Sequence, residues 1–163
     1  MSLFFAINRF AGKSLWLDIF MKYVSLGGIY FYWIIMLYLF FTGNLLVKFY
    51  LFKTGVVGLI AVFIAKYLGK RYYFPRPFVK HPVKVLYPHK DDSSFPSDHV
   101  TGAVTLALGI LGVAKVAGLI SLGYAVLIAV ARIYAGHHYP RDVLGGILLG
   151  AIVYYLAEFF NFL

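Results

Sequence analysis

All five histidines and all six prolines of this chain fall in two short stretches, Pro75 to His99 and His137 to Pro140. In and beside them lie three polar clusters: Arg76-Pro77, then Pro96-Ser97-Asp98-His99, then Arg132 followed by His138 and Asp142. These are the residue types that phosphoryl transfer asks for. Its transition state spreads negative charge over the phosphorus oxygens, so fixed cations and hydrogen-bond donors must surround it. Arg76 and Arg132 offer planar guanidinium forks. Ser97 offers a hydroxyl, and a helix starting near Asp98 would add backbone N–H groups with its positive dipole end toward the site. Of two imidazoles near neutral pH, one can attack phosphorus while the other protonates the leaving oxygen. His138 and Asp142 are four apart, and Pro140 between them argues against regular helix before residue 140. The spacing predicts His138 at a helix entry, with Asp142 in the first turn accepting a hydrogen bond from one ring nitrogen and leaving the other free.

The rest of the chain must hold these clusters together, and it is almost continuously apolar. Of 163 residues, 62% are hydrophobic, 20% aromatic and only 13% charged, too little polar surface for a soluble domain of this length. The charge-free run from Tyr23 to Val47 has 25 residues, more than the roughly 20 that cross a hydrocarbon core. It lacks a small-residue cleavage site, which reads against a removable signal peptide. We therefore expect an all-α, polytopic transmembrane helix bundle, with residues 1–163 forming one integral-membrane domain. Five spans are predicted: 23–43, 50–69, two within the apolar stretch 100–131 with a turn near Lys115 to Gly118, and 142–160. Residues 1–22 are too mixed for a clear span and read as an interfacial segment or a sixth one. Alternate crossings put the proline-rich loop 70–98 and the connection 132–142 on one membrane side, so all three polar clusters can meet at one end of the bundle. Gly146 and Gly150 have the spacing that lets helices pack closely.

Other compositional signals are narrower. Cysteine is absent, which excludes disulfides and thiolate metal sites. The formal charge of +9 is explained by Lys and Arg at membrane edges and by a site for an anion, so no nucleic-acid partner is expected. Lys13, Lys22, Lys48, Lys53 and Lys115 read as interfacial anchors, Tyr72, Tyr73 and Phe74 as an aromatic belt, and His81 and His89 as structural histidines. His137 reads as a helper or bystander beside His138.

The motif set Arg76-Pro77, Pro96-Ser97-Asp98-His99 and Arg132-(five residues)-His138-(three residues)-Asp142 resembles the signature of the type 2 phosphatidic acid phosphatase superfamily. That signature runs Lys-(six)-Arg-Pro, Pro-Ser-Gly-His, Ser-Arg-(five)-His-(three)-Asp, and the resemblance covers residues 66 to 150. It implies that His138 is the nucleophile, forming a phosphohistidine, with Asp142 orienting it and His99 as general acid. It further implies that Arg76, Ser97 and Arg132 bind phosphate, and no cofactor or metal is implied. Three positions depart from the pattern. Only five residues separate Lys70 from Arg76, Asp98 stands in place of glycine, and Ala131 in place of serine. Lys70 stays a candidate phosphate ligand.

The Phe-Pro-Ser-Asp-His form and Arg76-Pro77-Phe78 resemble bacterial undecaprenyl-diphosphate phosphatases, which makes a membrane lipid phosphate the expected partner. Lipid A 1-phosphatases and phosphatidylglycerophosphate phosphatases are the alternatives. No obligate protein partner is indicated. The resemblance also implies the bacterial cytoplasmic membrane, with the site on its outer face, whereas the basic residues outside the catalytic loops lie on both predicted sides and do not decide orientation. Two readings of other classes compete. His99, His138 and Asp142 could ligate zinc, but Arg76 and Arg132 would repel the cation. A lipid or anion transporter would place charges along a pathway, yet these cluster at one end.

Overall fold

A computed structural model describes residues 2–163. Seven helices follow in order: α1 Ser2–Asn8, α2 Leu15–Thr42, α3 Leu45–Arg71, α4 Pro77–Lys80, α5 Asp98–Val113, α6 Lys115–Tyr134 and α7 Pro140–Phe159. Among the described residues there is no strand. Four of them, α2, α3, α6 and α7, are long and apolar enough to cross a membrane, and α5 is a fifth, shorter apolar helix of 16 residues. The protein is a multi-pass membrane protein whose large side chains Ile34, Leu59, Phe63, Leu148 and Phe159 lie exposed on the helix exteriors, where lipid replaces water as the apolar solvent.

The first two predicted spans start further upstream than the apolar runs suggest, at Leu15 and Leu45 rather than near 23 and 50. Residues 15–22 belong to α2 rather than to an interfacial segment. The Ser14 hydroxyl accepts the N–H of Leu17 and opens the helix. Asp18, which reads as a charge too polar for a span, accepts the Gly12 N–H and the Tyr134 hydroxyl (2.7 Å) at the helix end. Ahead of α2 lies α1, seven residues long and far too short to span, joined to it by a turn at residues 9–14. It caps the bundle end, with Asn8 donating to the carbonyls of Lys84 (2.8 Å) and Tyr134 (2.9 Å). The turn expected at Lys115 to Gly118 is sharper and earlier. The chain breaks at Ala114 alone, and Gly118 already lies within α6.

Helix α5 is the centre of the bundle and packs against α2, α3, α6 and α7. Its sequence of Gly, Ala, Thr and Val keeps it narrow, and nearly every residue from Val100 to Ile110 is buried. Its contact with α7 depends on Gly146 and Gly150. A Cβ at Gly150 would stand 2.6 Å from the Thr101 carbonyl oxygen, and one at Gly146 2.7 Å from that of Ser97. At this approach the Thr105 hydroxyl bonds to the Gly150 carbonyl (3.2 Å), and the start of α5 lies against the start of α7. As the alternation predicts, the long connection 72–97 and the turn 135–139 emerge at the same end.

Candidate functional site

The first cluster is delivered by the long connection. Arg76 is the N-cap of α4, followed by Pro77, whose fixed φ suits a first helical position. Its side chain turns inward and is 3% exposed. Nε donates to Asp92 Oδ1 (2.8 Å), Nη2 to the Ser93 carbonyl (3.2 Å), and Nη1 to the His137 carbonyl (3.0 Å) and to His138 Nε2 (3.2 Å). Arg132 enters from the last turn of α6, where carbonyl ends favour a cation. Nη1 donates to the Tyr87 hydroxyl (2.9 Å) and to Ser25 Oγ (3.4 Å), while Nη2 donates to His89 Nε2 (3.1 Å) and to His138 Nε2 (3.1 Å). Two guanidinium groups therefore converge on a single ring nitrogen.

His138 reaches that point from the turn between α6 and α7. Gly136 makes the turn, with φ +81°, and a Cβ there would stand 2.5 Å from the Lys84 carbonyl oxygen. The His138 ring is buried, and its Nδ1 lies 2.8 Å from the Ser94 carbonyl oxygen. Its partners assign the tautomer. A carbonyl only accepts, so Nδ1 carries the hydrogen, and guanidinium only donates, so Nε2 presents its lone pair. Burial, then Arg132 and Arg76, hold this imidazole neutral well below its ordinary pKa. His137 beside it is pushed down to about 3, first by burial and then by Arg132. It donates from Nε2 to the Tyr87 carbonyl (3.1 Å) and stacks edge-on against the Tyr87 ring.

Asp142 does not meet the imidazole as the spacing predicts. The carbonyl of Ser94 holds that ring nitrogen, and Asp142 acts one residue away. Its Oδ2 accepts the Ser94 hydroxyl (2.5 Å) and the Tyr139 N–H (2.7 Å). The reason is geometric. As the third residue of α7, Asp142 folds back to cap its own helix, and from there its carboxylate meets the Ser94 side chain. Ser97 is buried with an unpartnered Oγ, and its N–H donates to the Asp142 carbonyl (3.0 Å). That N–H thus ties the start of α5 to α7.

The remaining candidates stand on neighbouring surfaces. His99, at the start of α5, is exposed and faces a groove of about 240 Å³ lined by Ser25, Gly28, Tyr32, Lys66 and Ile128. Lys70 is exposed and lines a polar cavity of about 340 Å³ that also contains Lys66, Arg76, Asp92 and Asp98. The structure thus brings Arg76, Arg132 and His138 to one point, sets Asp142 and Ser97 beneath it, and leaves His99 and Lys70 on the adjoining walls.

Five contributors had no clear signal in the sequence: Ser25, Tyr87, His89, Asp92 and Ser94. His89, read as structural, contacts Arg132 directly and has its pKa lowered mainly by burial. Ser25 and Tyr87 hydroxyls lie 2.6 Å apart under the same guanidinium. The clustering of Tyr87 and His89 in the proline-rich loop was the one available clue. Chemically, the arrangement offers an imidazole lone pair between two planar cations, which suits an anion with several oxygens.

Residues 46–159 match the family model of the PAP2 superfamily, and the chain belongs to that superfamily. It is similar to the undecaprenyl-diphosphatase BcrC of Bacillus subtilis, with 34% identity over 160 residues that cover 98% of this chain and 82% of the relative. Among solved structures it resembles Aquifex aeolicus LpxE, with TM-score 0.76 and 30% identity over 96% of this chain and 93% of that one. A PAP2-type phosphatidylglycerolphosphate phosphatase of B. subtilis shares the fold, with TM-score 0.66 and 24% identity over 98% of this chain and 85% of that one.

Proposed function

We propose that the protein is a lipid phosphatase that removes the terminal phosphate of undecaprenyl diphosphate through a phosphohistidine on His138. The observation that carries the chemistry is the His138 Nε2 lone pair facing the donors of Arg76 and Arg132, with Nδ1–H anchored on the Ser94 carbonyl. Similarity to BcrC over nearly the whole chain favours the substrate.

In this reading the terminal phosphate takes over the guanidinium donors that now rest on the ring. Nε2 attacks phosphorus in line, the bond from phosphorus to the bridging oxygen breaks, and His99 protonates the departing lipid phosphate. Water then attacks the phosphohistidine with His99 as base, which releases inorganic phosphate and restores the neutral ring. Asp142 positions His138 through Ser94. Arg76 and Arg132 neutralise the developing charge, so no step calls for a metal ion. Ser97 and Lys70 remain candidate phosphate ligands. Residues 1–163 act as one unit in the bacterial cytoplasmic membrane, with the site toward its outer face, as in the enzymes the motifs resemble.

The test is phosphate release from detergent-solubilised undecaprenyl diphosphate, a lipid A preparation, phosphatidylglycerophosphate and phosphatidic acid, each with EDTA. Undecaprenyl diphosphate should be the fastest substrate, EDTA should be without effect, and His138→Ala should abolish both turnover and an acid-labile phosphoenzyme. A different fastest lipid would reassign the substrate. Turnover by His138→Ala would overturn the mechanism, and release from no lipid would favour transport.

A further inference from the structure

We infer that Asp98, the carboxylate that stands where the family pattern has glycine, is a positioning residue that orients His99 for its work on the leaving group. The inference rests on the reading of His99 as the acid.

The two histidines are held in opposite ways. His138 is buried, with its ring bonded to Ser94, Arg76 and Arg132. The His99 side chain is 38% exposed. Among the described residues its ring has one hydrogen-bond partner, Asp98 Oδ1 at 2.8 Å from Nδ1. The same oxygen accepts the His99 backbone N–H at 2.9 Å. One carboxylate oxygen thus ties both the main chain and the ring, which confines both side-chain torsions and commits Nδ1–H. Nε2 is left as the free ring nitrogen, the only one able to pass a proton to the leaving oxygen. Asp98 is well placed for this, since it lines both the polar cavity that contains Arg76 and the groove that contains His99. With glycine at 98, a half-exposed imidazole at a helix start would have no tether and would spread over its rotamers.

A purely structural role would be first-turn capping, because an acidic residue there also suits the helix dipole. The two roles separate in a double-mutant cycle. Undecaprenyl diphosphate labelled in its terminal phosphate is mixed with excess enzyme in detergent, and phosphoenzyme formation is timed for wild type, Asp98→Ala, His99→Ala and the double variant. Asp98→Ala should slow formation about tenfold, a fraction of the about 10²–10⁴ that a general acid contributes, with KM changed less than twofold. In the His99→Ala background the same change should cost less than twofold. Asp98→Asn keeps an acceptor for the backbone and ring N–H groups, so it guards against a folding defect, and it should recover part of the loss. Equal losses in both backgrounds, or a wild-type rate for Asp98→Ala, would overturn the inference. A wild-type rate for His99→Ala would instead overturn the assignment of the acid, and the inference with it.

Discussion

The two ends of the bundle are built from the same apolar helices and could hardly differ more. At the far end the connections are minimal, Gly43-Asn44 between α2 and α3 and Ala114 between α5 and α6. Asn44 caps α3 through the Val47 N–H (3.0 Å), and the main polar contact nearby is Glu158 accepting from Tyr50 and Tyr154. At the near end a 26-residue connection that includes α4, the turn 135–139 and α1 enclose Arg76, Arg132, His137, His138 and Asp142, all 3% exposed or less. Burying such groups costs free energy unless each finds partners. The near end is therefore an interlocked polar network, in which one side chain commonly serves two or three others, whereas the far end is mostly packing, with a few local polar contacts. Substitutions at the near end should cost activity far more than substitutions of similar size at the far end.

The largest effect expected in testing that contrast is from Arg132→Lys. The guanidinium serves Tyr87, Ser25, His89 and His138 from two nitrogens, a fork that one ammonium cannot reproduce. If Arg132 donates to the phosphate as proposed, losing that preorganised donor should lower kcat by about 10²–10³-fold. A fall of less than tenfold in steady-state phosphate release would mean that Arg132 is scaffold rather than phosphate ligand.

Stability against pH probes the same network next. His137, with its pKa lowered to about 3, and His138, also lowered, are neutral when folded, whereas the unfolded chain protonates both near their ordinary 6.5. Below that pH the unfolded state binds more protons. Stability should be fully present above about pH 6.5 and fall as pH drops toward 3, by at most about 1.4 kcal/mol per pH unit for each ring. Apparent Tm in detergent between pH 7.5 and 4.5 reads this directly. His137→Gln should flatten the slope by one ring's share, and a flat wild-type profile would contradict buried neutral imidazoles.

What could be read in advance divides along the same line. The helices were legible because a chain in lipid must satisfy its backbone within each segment, so long apolar runs translate into α2, α3, α6 and α7 almost directly. The shared side of the two polar connections followed from counting crossings. The start of α2 did not, since Asp18 is accommodated by Tyr134, 116 residues away. The residues that converge on one point were also legible, as charged types rare in such a chain. The group holding His138 was hidden because it is a main-chain carbonyl, that of Ser94, which every residue possesses. For the same reason the spacing of His138 and Asp142 suggested a direct bond where the structure has an indirect one. Tyr87 and His89 could not be paired with Arg132 before the loop between α3 and α5 had a path.

A smaller effect should come from the far end. Gly118 lies one turn into α6, where a Cβ would stand 2.2 Å from the Leu111 Cα. Backbone is the obstacle, so no rotamer change relieves it. Gly118→Ala should destabilise by about 1–3 kcal/mol as the α5–α6 contact is forced apart, seen as a lower Tm, while kcat per folded molecule is retained. Loss of kcat without loss of Tm would show that the ends are coupled.

The smallest effect is expected at the boundary of the near end, from Lys70. Its side chain is exposed at the end of α3 and shares a cavity with Arg76 and Asp92, so solvent screens whatever it does. An exposed charge interaction is worth about 0–1 kcal/mol. Lys70→Ala should therefore reduce kcat/KM about threefold, chiefly through KM, and the deficit should shrink as salt rises, because screening weakens the wild-type contact too. Rates at low and high ionic strength for both proteins settle it. A loss of a hundredfold or more in kcat, insensitive to salt, would mean that Lys70 swings into the site with substrate bound. The polar network would then extend one helix turn further out than the buried residues mark it.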